Sequence, residues 1–128
     1  MTVIAYKKGL DQELSSHFSS VEFDCNCHYP ECNVTYIDEQ LVAKLEDKRI
    51  QWNKPIHLNC GFRCTRHNED VKGKIGSMHL VGKAADIVVE GMTPDQVADA
   101  CETFDGLGRY DTFTHVDVRG HRSRWDER

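Results

Sequence analysis

Ser77-Met78-His79-Leu80-Val81-Gly82-Lys83-Ala84-Ala85-Asp86-Ile87-Val88-Val89 holds the strongest structural signal in the chain. It opens on a histidine in a loop-like segment, passes Gly82 and enters the nearly unbroken apolar run Ala84 to Val89. Such a run is the pattern of a central strand buried on both faces. Asp86 stands inside it, and a carboxylate there is costly unless it is paired or bound to a metal. A second segment, Phe113-Thr114-His115-Val116-Asp117-Val118, alternates as a strand does and brings another histidine. Two imidazoles and one carboxylate with the fourth position open form the donor set of a catalytic zinc ion. His79, Asp86 and His115 are therefore the candidate ligands, and a small zinc hydrolase is the leading reading.

Working outward, Asp38 reads as the N-cap of a helix that buries Leu41, Val42 and Leu45 and runs to about Trp52. Asn53-Lys54-Pro55 ends it, because the residue before a proline is pushed out of the helical region. Ile56 to Asn59 alternates as a strand, and Gly61-Phe62-Arg63 turns out of it. A short helix is expected over Thr65–Val71, capped by Thr65. Thr93-Pro94-Asp95 starts another helix that turns Val97, Ala100, Cys101 and Phe104 inward and breaks at Gly106-Leu107-Gly108. Tyr110 to Val118 supplies the last strand pair. Toward the N-terminus, Leu10, Leu14 and Phe18 have helical spacing, Val21-Glu22-Phe23 reads as a brief strand, and residues 24–36 read as irregular. The sum is α+β, one antiparallel sheet with helices packed on one side, in a single domain spanning 1–128.

Composition narrows the partners. The 128-residue chain carries a net charge of -5, so the chain as a whole has no electrostatic basis for binding nucleic acid. Arg119, Arg122, Arg124 and Arg128 make the end of the chain locally basic, which reads as a solvated tail. No apolar run approaches the roughly 20 residues that span a bilayer. Met1 to Leu10 has Lys7 and Lys8 with no apolar stretch after them, so no secretory signal is expected. Six cysteines complicate the compartment. The spacing of Cys25, Cys27 and Cys32, with His28 beside them, leaves three readings open: a second, structural zinc, at least one disulfide, or free thiols. The other histidines, His17, His28, His57, His67 and His121, read as packed or exposed side chains.

The motif Ser77-x-His79-x-x-Gly82-x-Ala84-x-Asp86, followed by His115-x-Asp117-x-Arg119, resembles the D-alanyl-D-alanine carboxypeptidase family of zinc peptidases. That family includes phage endolysins that cut L-alanyl-D-glutamate bonds, and its fold is similar to the Hedgehog signalling domain. Phe23-x-Cys25-x-Cys27, Leu45-Glu46, Pro55-Ile56, Gly61-Phe62-Arg63, His67-Asn68 and Gly106-x-Gly108-x-Tyr110 extend the resemblance over most of the chain. It implies that His79, Asp86 and His115 ligate Zn2+ and leave the fourth position to water, with its pKa lowered to about 7. It also implies that Arg63 faces the substrate, to stabilise an oxyanion or grip a terminal carboxylate. Ser77 is a candidate substrate hydrogen-bond partner.

The general base is where the pattern departs. Many members of that family carry an acid three residues before the last histidine, and here that position is Thr112. Asp111 is expected to serve instead, with Asp117, on the same strand face as His115, either the competing base or the group that orients a ligand from behind. The resemblance implies hydrolysis of peptidoglycan stem or cross-bridge peptides containing D-amino acids, by a monomer with no membrane partner. It further implies action on the wall after release from the producing cell, or from a phage particle. The competing reading is a catalytically inactive zinc-binding module that binds cell-wall peptide or a protein partner.

Overall fold

A computed structural model describes residues 2–128. A two-stranded antiparallel sheet joins β1 (Val3–Lys7) to β2 (Val34–Asp38), with Val3 opposite Asp38 and Lys7 opposite Val34. A five-stranded sheet carries β3 (Ile56–Cys60), β4 (Ala84–Val89), β5 (Gly106–Arg109), β6 (Thr114–Asp117) and β7 (Ser123–Asp126) in the order β3-β4-β6-β5-β7. Its pairs are antiparallel except β5 with β7, which run parallel. The α+β class stands, with a second small sheet and one parallel pair added to the single antiparallel sheet expected.

Helix α1 (Glu39–Trp52) starts where the cap predicts: Asp38 Oδ1 accepts from the Gln40 N–H at 2.7 Å. It ends at Asn53, which takes the left-handed conformation at φ 50°. Helix α2 (Thr65–Asp70) is capped by the Cys64 sulfur accepting from the His67 N–H, and not by Thr65. Helix α3 (Pro94–Asp99) has a complete capping box between Thr93 and Gln96. It buries Val97 and Ala98, while Ala100 is only half-buried.

Side chains alternate across the large sheet. Ala85, Ile87 and Val89 of β4, Leu107 of β5 and Val116 of β6 point into the main core, against Leu41, Leu45, Val97 and Phe104. The opposite face carries Asp86 across from His115, and Ala84 across from Asp117. β4 is therefore central without being buried on both faces, since Val88 is 36% exposed.

Three local expectations are corrected. Leu14 and Phe18 belong to a turn, closed by the Leu14 and Ser15 N–H groups on the Phe18 carbonyl, and no helix forms there. Ser19 and Ser20 after Phe18 bond locally, to Glu22 and to the Gln12 N–H, which weakens the helical option. Val21-Glu22-Phe23 lies in a 3-10 turn, Ser20–Phe23, held by Glu22 reaching back to the Ser19 N–H. The basic tail is solvated only in part, since Arg122 and Arg128 are exposed while Arg119 and Arg124 are drawn in. Residues 123–126 form β7, and Arg124 donates to the carbonyls of Asp105 and Phe104. Among the described residues no helix is long and apolar enough to cross a membrane.

Candidate active site

The three expected ligands converge. Asp86 and His115 are neighbours across the β4–β6 ladder, and His79 approaches from the 3-10 turn Met78–Val81 that precedes β4. Gly82 makes that approach possible: at φ +76° a Cβ there would lie 2.3 Å from the Tyr36 carbonyl oxygen of β2. Asp86 Oδ1 stands 3.2 Å from His79 Nε2 and 3.1 Å from His115 Nδ1.

The far side of each imidazole fixes its tautomer. His79 Nδ1 lies 2.7 Å from the Gly61 carbonyl oxygen, which only accepts, so Nδ1 carries the hydrogen. His115 Nε2 lies 2.7 Å from Asp117 Oδ2 and likewise donates. In the neutral rings the two remaining nitrogens present lone pairs toward the same carboxylate oxygen. Each of these lone pairs repels the carboxylate oxygen it faces unless a cation or protons stand between them. Hydrogen bonding of the outer nitrogens to a carbonyl and a carboxylate is the usual support of metal-bound histidine. The residues therefore fit a zinc ion.

Electrostatics agrees. Burial opposes charge on His79, yet its hydrogen bonds to Asp86 and Cys60 outweigh burial and raise its pKa to about 9. Burial is likewise overcome at His115, where Asp117 and Asp86 raise the pKa. Asp86 is held well below the usual carboxylate range by His115 and His79 against the cost of its burial. Without a metal the site would hold protons instead, so zinc and protons compete for it.

Cys60 comes next to this group because a bulge between Leu58 and Cys60 sets it across from Asp86. Its sulfur is 3.6 Å from His79 Nδ1, the nitrogen already donating to Gly61, and so it neighbours the site from the wrong side to replace His115 as a ligand. The space in front of the donors opens into a cleft of about 650 Å³.

Arg63 and Ser77 both line the cleft, with Arg63 Nη2 donating to Ser77 Oγ at 3.3 Å. Asp117 is fully buried beneath His115 and receives Arg119 through Nε and Nη2, the supporting position expected of it. Asp111 is a correction. It is exposed in the β5–β6 connection and is not among the cleft-lining residues, because β6 begins only at Thr114 and the turn before it carries Asp111 outward.

The sequence reading missed one wall. Trp125 of β7 packs on His115 with ring centroids 4.9 Å apart and donates from Nε1 to the Tyr110 hydroxyl. Gly108 is required beneath it, since a Cβ there would lie 2.5 Å from the indole. Gly106 similarly leaves room for the Asp117 carboxylate. Lys72, Lys74 and Glu127 also line the cleft. The signal for β7 lay in Ser123-Arg124-Trp125, a short strand with no turn residue of its own.

The family model described as Peptidase M15 matches residues 16–117, which include all three expected ligands. The comparison with curated proteins found no match.

Proposed function

The chain belongs to the peptidase M15 family, a family of zinc metallopeptidases, and from that premise we propose that it hydrolyses peptidoglycan peptides containing D-amino acids. Removal of a terminal D-alanine is the favoured cut. The observation that carries this reading is the charge of the cleft. In a chain of net charge -5, Arg63, Lys72 and Lys74 line the cavity beside the donor triad with Arg119, itself paired with the buried Asp117, against Asp86 and Glu127. A cationic cleft on an acidic protein recruits carboxylate-bearing substrates, as stem peptides are.

His79 Nε2, Asp86 Oδ1 and His115 Nδ1 would hold the zinc. When bound, zinc supplies Lewis acidity that polarises a peptide carbonyl and acidifies water. Arg63 would grip the substrate's terminal carboxylate through its guanidinium, with Ser77 fixing that guanidinium in place. Asp117 keeps the proton on His115 Nε2 and so keeps Nδ1 available as a donor. It is itself a poor base, because His115 and Arg119 depress its pKa despite its burial. Glu127 is the carboxylate besides Asp86 that lines the cleft, and we assign it the removal of the proton from the attacking water.

Defined muropeptides incubated with the protein, with chelator and with restored zinc, should show loss of one alanine mass by mass spectrometry. Products cut inside the stem would replace carboxypeptidase with endopeptidase activity. No zinc-dependent product from any muropeptide would leave the inactive binding module. Glu127→Gln should lower kcat about 10²–10⁴-fold while Asp111→Asn stays near wild type, and the reverse result would return the base to Asp111.

A further inference from the structure

We propose that Cys25, Cys27, Cys32 and Cys64 form a second metal site, a tetrathiolate that binds a structural zinc ion. The four sulfurs all lie within 4.8 Å of one another. Zinc held by four sulfurs at about 2.3 Å sets them about 3.8 Å apart in a regular tetrahedron. Cys27 Sγ and Cys64 Sγ are 3.8 Å apart, almost twice the length of a disulfide of about 2.05 Å. Each of these cysteines carries a free thiol.

The surroundings are those of a thiolate cluster. Four thiolates around a divalent ion leave a net charge of −2, which needs compensation by donors. Lys8 Nζ lies 3.5 Å from Cys27 Sγ and 3.8 Å from Cys32 Sγ. The Cys64 N–H donates to Cys25 Sγ at 3.4 Å, and the His67 N–H donates to Cys64 Sγ at the same distance. Cys25 and Cys27 pack with Phe62 in a small cluster separate from the main core. Four protein donors close the coordination sphere, which is the mark of a structural site, and all-sulfur tetrahedral ligation suits zinc. His28, beside the cysteines in sequence, is exposed, and Cys64 takes the fourth corner instead.

The consequence for the cleft is mechanical. Cys64 directly follows Arg63, and Phe23, two residues before Cys25, already accepts the Phe62 N–H on its carbonyl at 2.8 Å. A metal joining residues 25–32 to Cys64 would clamp the turn whose Gly61 carbonyl orients His79 and whose Arg63 lines the cleft. This second site is argued from its own geometry and does not depend on what the cleft hydrolyses.

The test is a metal count on the protein purified under reducing conditions, followed by exchange with cobalt. Wild type should hold two zinc ions per chain, and its cobalt form should show an intense sulfur-to-cobalt charge-transfer band. His115→Ala should keep that band and one metal, while Cys32→Ser should lose the band. If Cys32→Ser does not fold, an organomercurial titration of wild type serves: modification of four thiols should release one zinc. A single zinc with no charge-transfer band, an iron centre, or thiols that react without releasing metal would each overturn the proposal.

Discussion

The two faces of the five-stranded sheet share the same strands and divide the work. On β4 and β6 the inward residues Ala85, Ile87 and Val116 are buried in the main core, while their immediate neighbours Asp86 and His115 meet over the cleft. The inward face is apolar and close-packed, so its value is stability. The cleft face sets the buried His79, His115 and Asp117 around the half-buried Asp86, a donor set suited to a cation, so its value is chemistry. Period-two alternation keeps these demands apart within a single residue step. Substitutions one position apart should therefore fail in different assays.

The largest effect tests the chemical face. His115→Ala should cut kcat/KM by about 10³-fold or more, since several kcal/mol of transition-state stabilisation depends on the metal. Thermal melting should move less than for a core truncation, and a large unfolding effect with activity retained would break the comparison. Ile87→Ala is the converse. It should cost about 2–5 kcal/mol in denaturant unfolding while the folded fraction keeps its metal and its rate.

Gly108→Ala sharpens the boundary, because it sits on the cleft face yet acts through packing. The added methyl meets the Trp125 indole, so about 1–3 kcal/mol of stability should be lost together with a change in tryptophan fluorescence. Unchanged stability would show that β7 can shift freely.

The smallest effect lies off both faces. Glu46 on α1 accepts from Ser15 Oγ at 2.6 Å and from the His17 N–H at 2.8 Å. Burial alone would raise its pKa, but these bonds win and lower it from the ordinary 4.5. A depressed folded pKa gives stability that is present above 4.5 and lost as pH falls through the folded value. Glu46→Gln should therefore cost about 1 kcal/mol near neutral pH and flatten that acid dependence, measured by urea melts between neutral and acidic pH. An unchanged acid slope would remove Glu46 from the account.

Legibility in the sequence followed locality. The Asp38 cap, the Thr93 capping box and strands β3 and β4 were readable because each is specified within a few residues. β1 and β2 were missed, since Tyr36 is exposed at 43% while Thr35 is fully buried, which inverts the expected polarity of a half-buried strand. β7 was missed because its partner β5 is distant and parallel, and its arginines mimic a tail. In the site, both histidines and Asp86 were legible from a buried acid flanked by imidazoles. The cleft-lining Glu127 was not, because only the folded chain carries Asp111 outward in the turn before β6 and brings the end of β7 to the cleft.

The donor types, the strands that carry two of them and the caps that start two helices follow from neighbouring residues, because capping and alternation are local physics. Which nitrogen of each histidine faces Asp86, why Gly106 and Gly108 must stay small, and that Cys64 joins three cysteines far from it in sequence emerge only from the folded chain. Those outcomes depend on groups brought together by chain crossings, and no local pattern encodes a distance between residues that meet only after folding.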